Sequence, residues 1–79
     1  MNVTFSKDAT KAVTRMDATT RRRIKQEVSN IPEGDIKPLQ GVSGVYRLRV
    51  GDWRILFSYI ENEVYIRDIG PRGDVYKGV

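Results

Sequence analysis

VYRLRVGDWRILF, Val45 to Phe57, is the stretch on which the fold turns. It alternates apolar and polar residues on either side of Gly51-Asp52, and a Gly-first pair of this kind suits a two-residue hairpin turn. Closing the turn there sets Val50 opposite Trp53, Arg49 opposite Arg54, Leu48 opposite Ile55, Arg47 opposite Leu56 and Tyr46 opposite Phe57. Side chains alternate faces along a strand. Tyr46, Leu48, Val50, Trp53, Ile55 and Phe57 therefore share an apolar face, and Arg47, Arg49 and Arg54 share the other. If Glu61-Asn62 is a second two-residue turn, Tyr59 faces Val64, Phe57 faces Ile66 and Leu56 faces Arg67. Arg67 then joins the basic face.

The rest of the chain supplies the layer that covers the apolar face. Val3–Phe5 is β-branched and aromatic and reads as a short strand. Ser6 is placed as a helix N-cap, and Ala9, Ala12, Val13 and Met16 recur at helical spacing to about Met16. Asp17 caps a second helix whose buried stripe is Ile24, Val28 and Ile31, and Pro32 ends it. Pro32–Gly44, rich in Gly and Pro, reads as a connecting loop. Three β-rich runs follow, at about Val45–Val50, Trp53–Ile60 and Glu63–Ile69. The order β-α-α-β-β-β predicts an α+β fold: a small antiparallel sheet with an N-terminal αα-hairpin packed on one face. Residues 1–79 form a single domain, since 79 residues leave no room for a second core.

Composition narrows the chemistry. The chain has neither cysteine nor histidine. That removes disulfides, thiolate nucleophiles, the commonest metal ligand and the commonest acid–base group near neutral pH. No cofactor or metal is expected. No apolar run approaches the roughly 20 residues of a membrane span, and the N-terminus lacks the layout of a signal peptide; a cytoplasmic protein with no membrane partner is expected. Lys and Arg number 14 against 10 Asp and Glu, a net charge of +4. Such an excess suits a nucleic acid or an acidic protein partner.

Directly opposed like charges destabilise a strand pair by some tenths of a kcal/mol, up to about 1. Arg49 against Arg54 thus costs the free fold something unless an anion intervenes, and no carboxylate alternates among the arginines of these two strands. Arginine suits phosphate, because its planar fork donates two hydrogen bonds at once. The triplet Arg21-Arg22-Arg23 is less informative. At roughly 100° per residue it spreads over about 200° of a helix, and it reads mainly as a solvated face.

YRLRVGDWRILF followed by VYIRDIGPRGDVYK resembles the RelE/ParE superfamily of toxins from bacterial and archaeal toxin–antitoxin systems, and most of all its RelE-type members. The family pattern is a basic strand of the form YrLRvGdyRv, an aromatic-rich strand and an ending like iGhRkdVY. The likeness is specific over Leu39–Lys77 and is one of element order before that. It implies a ribosome-dependent endoribonuclease that cleaves mRNA in the decoding site without a metal, and a cognate RelB-like antitoxin that binds and inhibits it in a hetero-oligomeric complex. mRNA, rRNA and the ribosome are the further partners it implies. Residue by residue, Arg54 and Arg72 match the arginines that stabilise the scissile phosphate, and Tyr76 matches the tyrosine near the 2′-hydroxyl. Arg47 and Arg49 fall where the best-known members carry lysines, and Arg67 and Lys77 add to the phosphate-binding set. An arginine does not give up its proton, so positions 47 and 49 can supply only the electrostatic part of any lysine role. Pro71 stands where many relatives place a basic residue or histidine. Two alternatives within the superfamily remain: a ParE-like toxin that inhibits DNA gyrase by binding, and a catalytically weak antitoxin-binding relative.

Overall fold

The computed structural model describes residues 2–71. In chain order these form β1 (Asn2–Phe5), α1 (Lys7–Thr14), α2 (Ala18–Ser29), β2 (Asp35–Pro38), β3 (Val45–Val50), β4 (Trp53–Ile60) and β5 (Glu63–Pro71). One five-stranded sheet runs in the order β1-β5-β4-β3-β2. The α+β fold and its N-terminal helix pair agree with the sequence reading, with two additions. β1 joins the sheet parallel to β5, and β2 lies within the segment whose composition suggests a loop. β2 escapes a pattern-based reading because it is only four residues long and flanked by Gly34 and the Gly41–Gly44 turn. Its Ile36 packs on the core while Asp35 and Lys37 alternate outward.

Both hairpins close as the sequence predicts. Val50 pairs with Trp53, and Arg49 with Arg54. Gly51 has φ 59°, in the left-handed region where glycine incurs no Cβ penalty. At the second turn Glu61 and Asn62 both have positive φ, 47° and 70°, as a two-residue turn of the primed type requires.

The helices pack on the apolar face of β3, β4 and β5. Ala9, Val13 and Met16 of the first helical segment and Ile24, Val28 and Ile31 of the second meet Leu48, Ile55, Phe57 and Ile66 in one buried core. Ser6 and Asp17 are the N-caps, accepting from the backbone N–H groups of Ala9 and Thr20. Hydrogen bonds from Thr20 hold the Asp17 carboxyl below its ordinary pKa. Its folded pKa being depressed, the contribution of this cap is present above the ordinary aspartate pKa of about 4 and fades as pH falls through the lower, folded value. Arg21 serves the structure: its guanidinium donates to the carbonyls of Met16, at 2.9 Å, and Val13, at 3.3 Å, at the end of α1.

In β5 the structure departs from simple alternation. Phe57 pairs with Ile66 but Leu56 pairs with Asp68, so Arg67 is an extra residue in a β-bulge. The expected Leu56–Arg67 pairing is thereby corrected. Strict alternation would have sent Ile69 outward with Arg67. The bulge returns it to the core, where it pairs with Ile55 and is 4% exposed. Bulges leave backbone groups outside the ladder, and Ser6 takes up that of Arg67: its hydroxyl donates to the Arg67 carbonyl at 2.6 Å. The Ser6 N–H donates to the neighbouring Ile66 carbonyl at 2.8 Å.

Ser6 therefore joins three things, the cap of α1, the end of β1 and the bulge. Ser6→Ala loses a cap and leaves a bulge carbonyl without its partner, which should cost about 1–2 kcal/mol. A melting temperature lower by roughly 4–15 °C is expected for a domain of this size, with Ser6→Thr retaining most of the stability. Thermal unfolding followed by circular dichroism measures both.

Candidate functional site

The face of the sheet opposite the helices carries the arginines in cross-strand rows. One row runs Asp35 (β2), Arg49 (β3), Arg54 (β4) and Gly70 (β5); the next runs Lys37, Arg47, Leu56 and Asp68. Three of the four arginines singled out from the sequence for this face thus occupy two adjacent rows, and Arg67 projects from the bulge beside them. Arg72, Tyr76 and Lys77 lie outside the described residues.

The arginines are not equivalent. Arg47 makes the sole ion pair among the described residues, Nη2 to Asp35 Oδ1 at 3.4 Å, and its side chain is only 15% exposed. Its cross-strand neighbour Leu56 is fully buried although it faces away from the helices. Leu39 and Val42 pack there with Val45 and Leu56 as a small second core. The chain between β2 and β3 is fixed in this place by the Leu39 N–H, which donates to the Val45 carbonyl at 2.9 Å. Arg47 is thus partly a packing residue, its alkyl stem set against apolar surface.

Arg49 and Arg54 differ from it. They are directly opposed, and among the described residues neither has a carboxylate within ion-pair distance. Arg49 is exposed, while Arg54 is half-buried and among the described residues donates a single hydrogen bond, from Nη1 to the Trp53 carbonyl at a long 3.4 Å. On the far side of Arg54 stands Gly70, which offers no side chain. The result is an open cationic slot: two arginines directly opposed across the strand pair, neither of them ion-paired among the described residues, with bare backbone beyond. An anion with oxygens on more than one side, such as a phosphodiester, can accept from both guanidiniums. The described chain ends next to this slot, since Pro71 pairs with Trp53. Among the described residues no three His, Cys, Asp or Glu side chains gather to hold a metal ion.

Two features of this face lie beyond the sequence reading. Asp35 belongs to a strand where composition suggests a loop, and Asp68 comes into line with Leu56 only through the bulge. The alternation of DIKP is the one available signal for the first. For the second the signal is the spacing of Ile66 and Ile69, two core-type residues three apart in a strand.

Comparison with known proteins places the chain. A family model described as the ParE toxin of type II toxin–antitoxin system, parDE, matches residues 3–76. No curated protein matches the chain. Among solved structures it is similar to the RelB–RelE antitoxin–toxin complex from Methanococcus jannaschii, at 25% identity and a TM-score of 0.76 over 95% of this chain and 96% of that one. It is also similar to the archaeal RelE–RelB complex from Pyrococcus horikoshii OT3, at 25% identity and a TM-score of 0.73 over 92% and 96%. The RelBE2 toxin–antitoxin complex from Mycobacterium tuberculosis shares the fold, with a TM-score of 0.75 at 20% identity over 90% of this chain and 96% of that one.

The contrast between the arginines is measurable in the free protein. Arg47→Ala removes an ion pair and the cover of Leu56, and should lower stability by about 1–2 kcal/mol. Arg49→Ala removes a charge opposed to Arg54 and should be neutral or stabilising within about 1 kcal/mol. Salt screens exposed like charges, so added salt should raise the melting temperature of the wild type more than that of Arg49→Ala. Thermal melts across a salt series provide the check.

Proposed function

The chain belongs to the ParE toxin family of type II toxin–antitoxin systems, within the RelE/ParE superfamily, and from that premise we propose that it stops translation as an endoribonuclease, cutting mRNA in the ribosomal A site. The observation that carries this reading is the opposed pair Arg49 and Arg54 beside the bare backbone of Gly70. A toxin that acted by shape alone would have no need to set two arginines directly opposite each other at a cost to its own fold.

In this reaction the RNA brings its own nucleophile. The 2′-oxygen attacks the adjacent phosphorus as its proton leaves, and a 2′-O–P bond forms. The P–O5′ bond breaks, and a proton passes to the departing 5′-oxygen. The products are a 2′,3′-cyclic phosphate and a 5′-hydroxyl. Charge grows on the non-bridging oxygens in between, where prearranged donors in a site closed to water are most effective. Arg54 and Arg72 take that role. Arg47, Arg49, Arg67 and Lys77 hold the flanking phosphates.

Protons need another agent, because arginines stay charged. Tyr76 is the candidate for the 2′-hydroxyl. A tyrosine hydroxyl ordinarily titrates near pH 10, and guanidinium groups beside it favour the phenolate. No step calls on a metal. The partners of this reading are the ribosome with its mRNA and rRNA, and a cognate RelB-like antitoxin in a hetero-oligomeric complex. The site of action is the cytoplasm.

The matched family description names ParE, which favours a second reading: a toxin that inhibits DNA gyrase by binding, with no RNA chemistry. The two readings diverge on expression of the chain. Cleavage predicts that protein synthesis stops first and that new mRNA 5′ ends appear within codons on translating ribosomes. Arg54→Ala with Arg72→Ala should reduce that cleavage by at least about 100-fold and abolish growth arrest while the protein stays folded. Mapping of mRNA 5′ ends, with the double variant alongside, tests this. An SOS response with translation intact would carry the gyrase reading instead, and full cleavage by the double variant would remove the arginines from the mechanism.

A further inference from the structure

The outer face does not end at the arginine rows. Beyond the bulge, towards α1, lies a depression of about 550 Å³ whose floor is Leu56 and whose walls include Lys7, Asp8, Tyr65, Arg67 and Asp68. Tyr65 is one of two large apolar side chains exposed among the described residues, at 45%. Its cross-strand neighbours on this face are small, Thr4 on β1 and Ser58 on β4. An aromatic ring between two short side chains has no large cross-strand neighbour to cover it, which suits a stacking platform.

The charges around the ring are mixed, which restricts what can lie there. Arg67 and Lys7 are exposed cations at the rim, suited to a backbone phosphate. Asp8 and Asp68 are carboxylates in the same depression. One Asp68 oxygen accepts from the Ile69 N–H at 2.8 Å and the other has no protein donor among the described residues. Two carboxylates repel a phosphate but accept hydrogen bonds from an amino group. The depression therefore fits a base better than a backbone, and a base with an exocyclic amine better than one without. Carboxylates pair with the amine of cytosine by this chemistry.

The spacing fits a single strand that also crosses the arginines. Tyr65 pairs with Ser58, four residues along β4 from Arg54. At about 3.3 Å per residue and about 4.8 Å per strand, the two positions stand roughly 14 Å apart. A strand engaging Arg54 through one phosphate thus reaches Tyr65 a few nucleotides away, passing the Arg67 rim between.

We infer that Tyr65 and the carboxylates of Asp8 and Asp68 form a base-binding subsite for single-stranded RNA, in which the base stacks on Tyr65 and an amino-bearing base is preferred over uracil. The inference rests on the outer face being an RNA surface, and not on cleavage taking place.

The test uses the purified full chain and fluorescently labelled hexanucleotides of adenosine, cytidine and uridine, 2′-O-methylated so that they cannot be cut. Anisotropy at low salt gives the affinities. The wild type should bind the adenosine and cytidine oligomers more tightly than the uridine oligomer. Tyr65→Ala should weaken binding on the order of tenfold, as base–aromatic stacking does elsewhere, while Tyr65→Phe keeps most of it. Asp8→Asn with Asp68→Asn should shrink the preference over uridine. Circular dichroism confirms that each variant is folded. Wild-type affinity too weak to measure, equal loss in Tyr65→Phe and Tyr65→Ala, or no loss in either, overturns the inference. So does a Tyr65→Ala effect confined to binding of an antitoxin chain. Binding through Tyr65 by a protein that cuts no mRNA upholds the subsite and removes the nuclease. Cleavage with Tyr65-independent binding removes the subsite and leaves the nuclease standing.

Discussion

The bulge at Arg67 is the constraint from which both faces of this sheet follow. β5 is a central strand, paired on both sides, and must feed the helix-facing core and the outer face at once. A strand of strict period two could not place both Ile66 and Ile69 inward. The extra residue allows it, and in the same stroke delivers Arg67 and Asp68 to the outer face and Gly70 into line with Arg54. Such a kink needs its freed backbone satisfied. The Ser6 hydroxyl does this for the Arg67 carbonyl, from the junction of β1 and α1. The N-terminus is thus tied to the outer face 61 residues away, and the parallel pairing of β1 with β5 has a reason beyond added sheet.

A similar double use of residues shows in how the outer face is divided. Leu56 would be an apolar liability on a surface of arginines. Leu39 and Val42 pack against it with Val45, and the little-exposed Arg47 is its cross-strand neighbour. This second core, small as it is, holds the β2–β3 connection against the sheet and sets Asp35 beside Arg47. One arginine is thereby neutralised and made structural. Among the described residues Arg49 and Arg54 form no ion pair, and it is these two that stand opposite each other. The repulsion is concentrated at one slot and damped next to it, an arrangement that keeps the cost local while preserving two strong donors.

Most of this is legible in the sequence where one residue's type decides one conformation. Gly51 at φ 59° and the Glu61-Asn62 pair set the hairpins, and through them the faces of Arg47, Arg49 and Arg54. Ser6 and Asp17 announce the helix starts by their side-chain oxygens. What escapes depends on tertiary partners. β2 shows its alternation over only four residues, and becomes a strand because Val45–Val50 offers it an edge. The bulge shows in the sequence only as the spacing of Ile66 and Ile69, and it follows from both of them entering one core. Arg21 resembles its neighbours Arg22 and Arg23 in sequence, and only the turn between the helices gives it carbonyls to cap.

Arg21 also bears on how basic charge should be interpreted in a protein of this size. Lys and Arg outnumber Asp and Glu by four, yet the excess is not what marks the candidate site. Residues 6–31 alone hold seven Lys or Arg against three Asp or Glu, which is the whole of the net charge, and part of that set is occupied in capping. The sheet face is distinguished by arrangement: like charges opposed in register, a glycine beside them, one carboxylate paired with Arg47 and another in the depression beyond the bulge. Net charge speaks to attraction for a polyanion at long range, whereas selection of a phosphate or a base depends on which donors and acceptors lie within hydrogen-bond reach. In this chain the backbone register of β3, β4 and β5 decides that second question, and a one-residue shift in β5 would undo it.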